Sequence, residues 1–270
     1  MVAKEQRIIG LSVTDLNEAI DSHLADGFRL DMIRPADDPI EAWVSDEDFV
    51  FHLHKRLKPH RFKGVTSHAF PPVVKSEWHT GRAGMEYRDL IPDRLGGKVI
   101  ASHIRLTTGG EVPDYVHYHK VDFQMIYCKA GRIKVVYEDQ GEPFWLETGD
   151  CVLQPPEIRH RVLECTAGAE VIEVSMPAEH ETWVEHDITL PTVELKPDRD
   201  FSGQRFVRHR PNEPTDTERD TGISAATNGL ADVRIKREGA ADKLLLLTLR
   251  GFGAESNGLL PAPVTFEIAV

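Results

Sequence analysis

Hydrophobic and polar positions change their pattern along this chain, and the first pattern predicts a small mixed module. Residues 7–13 are strand-like, and apolar positions 16, 19, 20 and 24 then recur at helical spacing. Asp15, with Glu18 three residues later, fits a capping box, and Gly27 suits the end of this helix. Strand candidates follow at 28–33, 40–44 and 49–54, so residues 1–56 are predicted to fold as βαβββ.

The middle of the chain predicts a linker followed by many short strands. Residues 57–97 are rich in Pro, Gly and basic residues, and we interpret them as a linker that wraps the next domain. Between residues 98 and 177, short apolar segments alternate with turns that carry glycine. This spacing is typical of a small β-barrel or jelly roll.

The C-terminal part, residues 178–270, contains fewer strand-like segments, chiefly at 229–235 and 244–249. The last segment, residues 251–270, does not continue this pattern. We therefore expect a partial β region here that completes a sheet or an interface.

The composition narrows the class of protein. A hydrophobic content of 40% in 270 residues supports a real core. No apolar run approaches the length of about 18 residues that a membrane span needs. A net charge of -12 disfavours nucleic acid and anionic membranes as partners. The N-terminus enters a strand directly, and the three cysteines lack metal-type spacing, so we expect a cytoplasmic protein.

Three histidines carry the candidate chemistry. His117 and His119 stand two residues apart, so they share one face of a strand. His160 follows in a later strand-and-turn block. Neutral imidazoles that converge from two strands form a site for a divalent transition metal.

These two blocks resemble the two motifs of the cupin superfamily. The matching residues, with one extra residue after the first Gly, are Gly110, His117, His119, Gly131, Gly149, Pro155 and His160. Gln124 stands where the family usually has Glu, while Glu157 and Glu164 replace a Gly and an Asn. The resemblance covers roughly residues 98–177 and implies a jelly roll that binds metal. Gln124 would then be a weak ligand, or it would hydrogen-bond a bound water.

The resemblance extends the fold prediction to the flanking regions. The βαβββ order resembles one half of a vicinal oxygen chelate (glyoxalase-like) domain, which would pack on the barrel or on a second subunit. The region 178–270 is similar to the opening strands of a second, metal-free cupin barrel. The predicted fold is therefore mainly β: a cupin jelly-roll β-barrel, preceded by a small βαβββ module and followed by a partial second cupin-like region. We expect a homodimer.

A second His-x-His pair, His52 and His54, lies on the last strand of the N-terminal module. Phe49, Phe51 and Leu53 already supply the apolar face of that strand, so the two histidines point the other way. No third ligand is placed by the sequence. We interpret this pair as part of a solvated or interface face and predict no metal there.

Alternation along the strands predicts the rest of the pocket. The predicted pocket residues are His103, Ile126, Cys128, Gln154 and Val162. Glu164 shares parity with His160 and is the candidate general base, with a surface carboxylate as the alternative. Arg105 is the candidate clamp for a substrate carboxylate, with an ordinary strand-edge arginine as the alternative.

Three functions remain open on this basis. The first is a dioxygenase, as in three-histidine cupins, with Fe as the expected metal and a small anionic substrate bound through two oxygens, such as a diketone, an aromatic diol or a hydroxy acid. The second is non-oxidative isomerase, epimerase or lyase chemistry on a sugar or hydroxy acid, for which Ni, Mn, Zn or Co would also serve. The third is a cupin that binds a small ligand without catalysis.

Overall fold

The computed structural model describes residues 6–56, 77–91, 93–211, 217–239, 241–250 and 263–270, and within these ranges the chain is mainly β. Its strands are β1 (Arg7–Val13), β2 (Arg29–Arg34), β3 (Glu41–Ser45), β4 (Phe49–Lys55), β5 (His79–Thr80), β6 (Glu86–Asp89), β7 (Ile100–Leu106), β8 (Gly110–Glu111), β9 (His117–His119), β10 (Phe123–Ala130), β11 (Arg132–Tyr137), β12 (Phe144–Glu147), β13 (Cys151–Leu153), β14 (His160–Cys165), β15 (Ala169–Met176), β16 (Thr182–Val184), β17 (Val207–His209), β18 (Glu218–Asp220), β19 (Ala231–Glu238), β20 (Ala241–Leu249) and β21 (Val264–Ala269). The helical segments are α1 (Leu16–Ala25), α2 (Arg94–Gly97), α3 (Ile223–Ala226) and a 3-10 turn at Arg82–Gly84.

The N-terminal module has the predicted order of elements, β1-α1-β2-β3-β4. The Asp15 side chain accepts a hydrogen bond from the Glu18 backbone N–H at 3.1 Å, as the capping pattern predicts. The apolar stripe of α1 includes Leu16 and packs against sheet residues such as Val44 and Leu53. The resemblance of this module to half of a vicinal oxygen chelate domain stays a prediction.

Two facing sheets build the centre of the molecule. One has ten strands in the order β1-β4-β3-β2-β16-β9-β14-β11-β12, with β8 paired to β14. The other has seven, in the order β17-β13-β10-β15-β7-β6-β5. Side chains of both sheets, including Ile126 and Val135, meet in one buried cluster, the jelly-roll interior. The predicted mainly β, jelly-roll fold is confirmed, although the two sheets stay separate in hydrogen bonding and do not close into one barrel.

One continuous sheet joins the N-terminal module to the jelly roll. The joining strand is β16, in which Thr182 lies opposite Ile33 on one side and His119 on the other. A short segment soon after residue 177 therefore supplies a strand to the larger sheet. This register brings Thr182 directly beside a predicted metal ligand.

Part of the predicted linker also adds strands. β6 pairs antiparallel with β7, and β5 pairs with β6, so residues 79–89 extend the smaller sheet. Residues 57–76 of that linker lie outside the described residues. The chain before the cupin-like segment thus forms part of the jelly-roll wall.

The C-terminal strands form a four-stranded antiparallel sheet, β18-β19-β20-β21, against the outer face of the smaller sheet. Ile235 and Leu247 from this sheet share a buried cluster with Phe123 and Met125 of β10. The interior face of β10 carries Ile126, which belongs to the jelly-roll interior. Burial on both faces explains why residues 123–128 form a nearly continuous apolar run.

One expectation for the C-terminus is wrong. Residues 264–269 do continue the strand pattern, because β21 pairs with β20 from Val264 to Ala269. Residues 251–262 lie outside the described part of the chain. The identity of this region as a partial second cupin, like the boundaries predicted at residues 56, 97 and 177, stays a prediction.

Candidate metal centre

The three predicted histidines come together on two neighbouring strands. His117 and His119 lie at the ends of the three-residue strand β9, and His160 opens β14 directly opposite His117. Their ring centroids are 4.2 Å apart for His117 and His160, 5.1 Å for His117 and His119, and 5.2 Å for His119 and His160. One ring nitrogen from each residue lies within 4.8 Å of the other two.

All three rings are removed from water. The exposed fraction is 0% for His117, 5% for His119 and 6% for His160. Burial lowers the pKa of His117 and His119 well below the usual histidine value, and it lowers the pKa of His160 to about 4. The imidazoles are therefore neutral near pH 7, which is the form that binds metal.

Hydrogen bonds to Nδ1 fix the orientation of each ring. His117 Nδ1 donates to the Tyr115 carbonyl oxygen at 2.8 Å, and His160 Nδ1 donates to the Ile158 carbonyl oxygen at 2.9 Å. His119 Nδ1 lies 2.9 Å from the Thr182 hydroxyl oxygen. A carbonyl only accepts, so Nε2 of His117 and His160 carries the lone pair.

These atoms fit a divalent transition metal. His117 Nε2 is buried and has no hydrogen-bond partner among the described residues, although nearly all buried polar atoms in proteins are paired. Gln154 Nε2 donates to the His160 Nε2 lone pair at 3.0 Å, and an ion bound at that atom would replace this hydrogen bond. Three neutral nitrogen donors suit Zn, Fe, Ni, Co or Mn without selecting one.

His119 and His160 line a cavity of about 50 Å³ in the jelly-roll interior. The motif residue Gln124 also lines it, together with three of the predicted pocket residues, Ile126, Gln154 and Val162. Further lining residues that the sequence analysis did not name include Arg82, Met85, Tyr87 and Glu173. The cavity therefore joins the three-histidine group to an apolar wall with a few polar groups, as small-molecule sites commonly do.

A chain of side-chain hydrogen bonds crosses the cavity wall. The Tyr137 hydroxyl donates to Gln154 Oε1 at 3.0 Å, and Gln154 Nε2 donates to Gln124 Oε1 at 3.2 Å. Gln124 Nε2 donates in turn to Glu173 Oε1 at 3.1 Å. Both ends of the Gln124 amide are thus engaged, which favours a hydrogen-bonding role beside the histidines over direct ligation.

The structure places two predicted residues of β7 on the opposite face of the sheet. Ile104 faces the cavity, so alternation turns its neighbours His103 and Arg105 outward. His103 Nε2 pairs with Glu170 at 2.8 Å, and the Arg105 guanidinium stacks over Trp78 at 4.1 Å. The positions predicted for these two residues are therefore corrected, and Arg105 is not near the metal centre.

Cys128 and Glu164 also lie away from the cavity. Cys128 is buried in the apolar part of the interior, where its thiol contacts the carbonyl oxygens of residues 130 and 131. Glu164 is exposed because the pairing of β11 with β14 shifts register between Lys134 and Val135, which breaks the alternation after Val162. Its predicted position beside His160 is corrected accordingly.

Three functional candidates escaped the sequence analysis. Glu173 lies opposite Ile126 in the pairing of β10 with β15, and it brings a carboxylate to the cavity. Arg82 reaches the cavity from the predicted linker. His180, which follows the segment predicted as the cupin barrel, is buried 5.2 Å from the His119 ring, and its Nε2 has no partner among the described residues. The one available signal in the sequence was Glu173, the acidic residue within the otherwise largely apolar residues 171–176 of β15.

Comparison with known proteins agrees with this geometry. Residues 102–175 match the family profile described as the cupin domain, and this part of the chain is a cupin domain. Among the described residues, none of the helices has the length and apolar character that crossing a bilayer requires. Comparison with curated proteins gave no match.

Similar solved structures include an RmlC-like cupin from Shewanella frigidimarina, with 26% identity over 42% of this chain and 93% of that chain, and a TM-score of 0.34. A deletion mutant of Bacillus subtilis oxalate decarboxylase OxdC has 12% identity over 76% of this chain and 70% of that chain, with a TM-score of 0.42. Streptomyces Pac13, a nucleoside dehydratase, has 13% identity over 44% of this chain and 95% of that chain, with a TM-score of 0.32. Similarities of this size carry no functional assignment.

Proposed function

We propose that this protein is a metal-dependent cupin enzyme, and that it is a dioxygenase for a small anionic substrate with two neighbouring oxygen atoms. The proposed substrate is a diketone, an aromatic diol or a hydroxy acid. The observation that carries the proposal is the group of three buried, neutral imidazoles whose ring nitrogens lie within 4.8 Å of one another. His117, His119 and His160 would hold the ion.

The chemistry that a divalent ion supplies in such a site is polarisation of substrate oxygens and, with iron, redox chemistry with O2. The chain's own contribution is orientation and exclusion of water. Carbonyl acceptors hold the rings of His117 and His160, and the Thr182 hydroxyl holds His119. Apolar lining residues such as Ile126 and Val162 keep the reacting centre dry.

A second candidate is non-oxidative isomerase, epimerase or lyase chemistry, and Glu173 favours it. This carboxylate lines the cavity and accepts hydrogen bonds from Gln124 Nε2 at 3.1 Å and from the Ser175 hydroxyl at 3.0 Å. A carboxylate held beside a polarised substrate can take up and return a proton. It replaces Glu164 as the candidate general base.

The metal, the oligomeric state and the compartment are further proposals. We propose iron as the metal, with Ni, Mn, Zn and Co as alternatives. A cytoplasmic location is supported by three free, buried cysteines, Cys128, Cys151 and Cys165. A homodimer is supported by β1, which forms one end of the larger sheet and leaves Ile8 68% exposed.

The test begins with protein purified without a His tag. Metal content is measured by mass spectrometry, and Fe(II)-loaded protein is then given acetylacetone, catechol or lactate in an oxygen electrode. Oxygen uptake that matches substrate loss supports the dioxygenase. Turnover without oxygen uptake that falls by about 100-fold or more in Glu173→Gln supports the second candidate. A protein that takes up none of the five metals contradicts both.

A further inference from the structure

We propose that Arg82 is a specificity-determining residue that binds a carboxylate of the substrate beside the three-histidine group. The inference deepens the proposed function and rests on it, because it assigns the substrate class of the same cavity. It moves the anion-binding role from Arg105, which lies on the outer face of the sheet, to a residue outside the cupin match.

The backbone before Arg82 is shaped to bring this side chain inside. A Cβ atom at Gly81 would lie 2.5 Å from the Asp37 carbonyl oxygen and 2.8 Å from the Tyr87 ring, so only glycine permits this close approach. The 3-10 turn at Arg82–Gly84 then leads into β6, which pairs with β7 of the jelly roll. The N-terminal module and the jelly roll thus fix the position of Arg82 from both sides.

The Arg82 guanidinium is buried, and only some of its N–H donors have an acceptor among the described residues. Its side chain is 10% exposed. Nη1 donates to Asp114 Oδ1, and the second oxygen of Asp114 accepts the Val162 N–H at 2.9 Å. Arg82 Nε is buried and has no partner among the described residues. An arginine has five N–H donors, so donors remain for an acceptor in the cavity that Arg82 lines with His119 and Glu173.

The donor geometry of a charged guanidinium favours a planar carboxylate as that acceptor. Burial is the largest effect and alone would lower the pKa of Arg82, but Asp114, Tyr87, Tyr115 and Glu173 together outweigh it and raise the pKa, so the guanidinium stays charged. A buried N–H without an acceptor is costly, and a carboxylate matches the planar fork of a guanidinium better than a neutral oxygen does. A cavity of about 50 Å³ suits a small carboxylate, such as a short hydroxy acid.

The test compares lactate with 1,2-propanediol, which lacks the carboxylate, by isothermal titration calorimetry on Zn(II)-loaded and metal-free protein. The wild-type protein is expected to bind lactate about tenfold or more tightly than the diol. Arg82→Lys and the double variant Arg82→Gln/Asp114→Asn are expected to lose that preference while binding zinc as before. The double variant removes both charges of the buried pair, so it leaves no unpaired carboxylate to unfold the protein.

Arg105→Gln is the matched control, and it is expected to bind lactate like the wild type because its side chain lies on the outer face. Folded Arg82 variants that bind lactate as tightly as the wild type would overturn the assignment, as would a wild type that does not distinguish the two ligands. Failure of the proposed function has a different signature, the absence of zinc uptake, and the metal-free titrations still test Arg82 in that case.

Discussion

Two pairs of histidines in this molecule have the same sequence spacing but different surroundings. His117 and His119 on β9, and His52 and His54 on β4, are both separated by one residue on a strand. Their rings meet in nearly the same way, with centroids 5.1 Å apart at 90° in the first pair and 4.6 Å apart at 86° in the second. Spacing and ring contact therefore do not distinguish a metal site from a surface pair.

The difference lies in the third residue and in the hydrogen bonds. His160 meets the first pair from the adjacent strand, and a backbone carbonyl or a hydroxyl engages each Nδ1. In the second pair, His52 Nε2, the atom that would face an ion, is taken up by Glu41. Within the described residues, no third donor completes a metal-binding group with the second pair. A His-x-His motif thus becomes a site only when a neighbouring strand adds a donor and burial leaves the Nε2 atoms unprotonated.

The largest expected effect is on metal content. His117→Ala and His160→Ala each remove one of three donors and are expected to abolish stoichiometric metal binding, because two imidazoles hold a divalent ion weakly. His52→Ala is the matched control and is expected to keep full metal content. Mass spectrometry of the three purified variants measures this. Retained metal in His117→Ala or His160→Ala would contradict the proposal that these histidines, unlike His52, are metal ligands.

The second effect is on stability against acid. The pKa of His160 is about 4 when folded, against 6.5 for the unperturbed group, so unfolding takes up a proton between these values. The contribution of neutral His160 to the free energy of unfolding of the metal-free protein is therefore fully present above about pH 6.5, and about 3 kcal/mol of it is lost as the pH falls towards 4. Urea unfolding at several pH values measures the slope.

His160→Gln is expected to show a shallower loss of stability with acid than the wild type. His52→Gln supplies the matched control in the partly exposed pair. Equal slopes in the wild type and in His160→Gln would mean that this ring does not carry the acid sensitivity.

The third effect concerns the hydroxyl behind His119. Thr182→Val keeps the shape of the side chain but removes the oxygen that lies 2.9 Å from His119 Nδ1. Metal affinity is expected to fall about 10-fold to 100-fold, because such outer hydrogen bonds orient the ligand. Competition with a chelator measures it. Thr248→Val, on the exposed face of the C-terminal sheet, is the control, and an equal loss there would remove the explanation.

The smallest effect tests the hydrogen-bond chain in the cavity wall. Tyr137→Phe removes the bond from the hydroxyl to Gln154 Oε1 and is expected to lower the free energy of unfolding by about 1 to 2 kcal/mol. Metal content should stay unchanged, since no ligand is altered. Chemical denaturation measures the stability. A variant as stable as the wild type would show that this series of hydrogen bonds does not stabilise the protein.

Much of the fold and the three-histidine group were predictable because they depend on local patterns. The Asp15 cap, the strand order of the N-terminal module and the shared face of His117 and His119 all follow from spacing within one element. The meeting with His160 depends on two strands that pair, and the two motif blocks supplied that information.

The residues that escaped prediction come from strands and turns that adjoin the site only in space. Arg82 precedes the first ligand by many residues and enters through a turn that Gly81 permits. Glu173 reaches the cavity because its strand pairs with β10. Glu164 was misplaced because a register shift is invisible to alternation. His180 is buried just before β16, which inserts between β2 and β9 in the larger sheet.

The most direct test is to locate the ion itself. Crystals of the protein loaded with Zn(II), measured on both sides of the zinc absorption edge, give an anomalous map of bound metal. We expect one strong peak at about 2.0 to 2.1 Å from Nε2 of His117, His119 and His160, and none between His52 and His54. A map without density among the three buried rings would contradict the account.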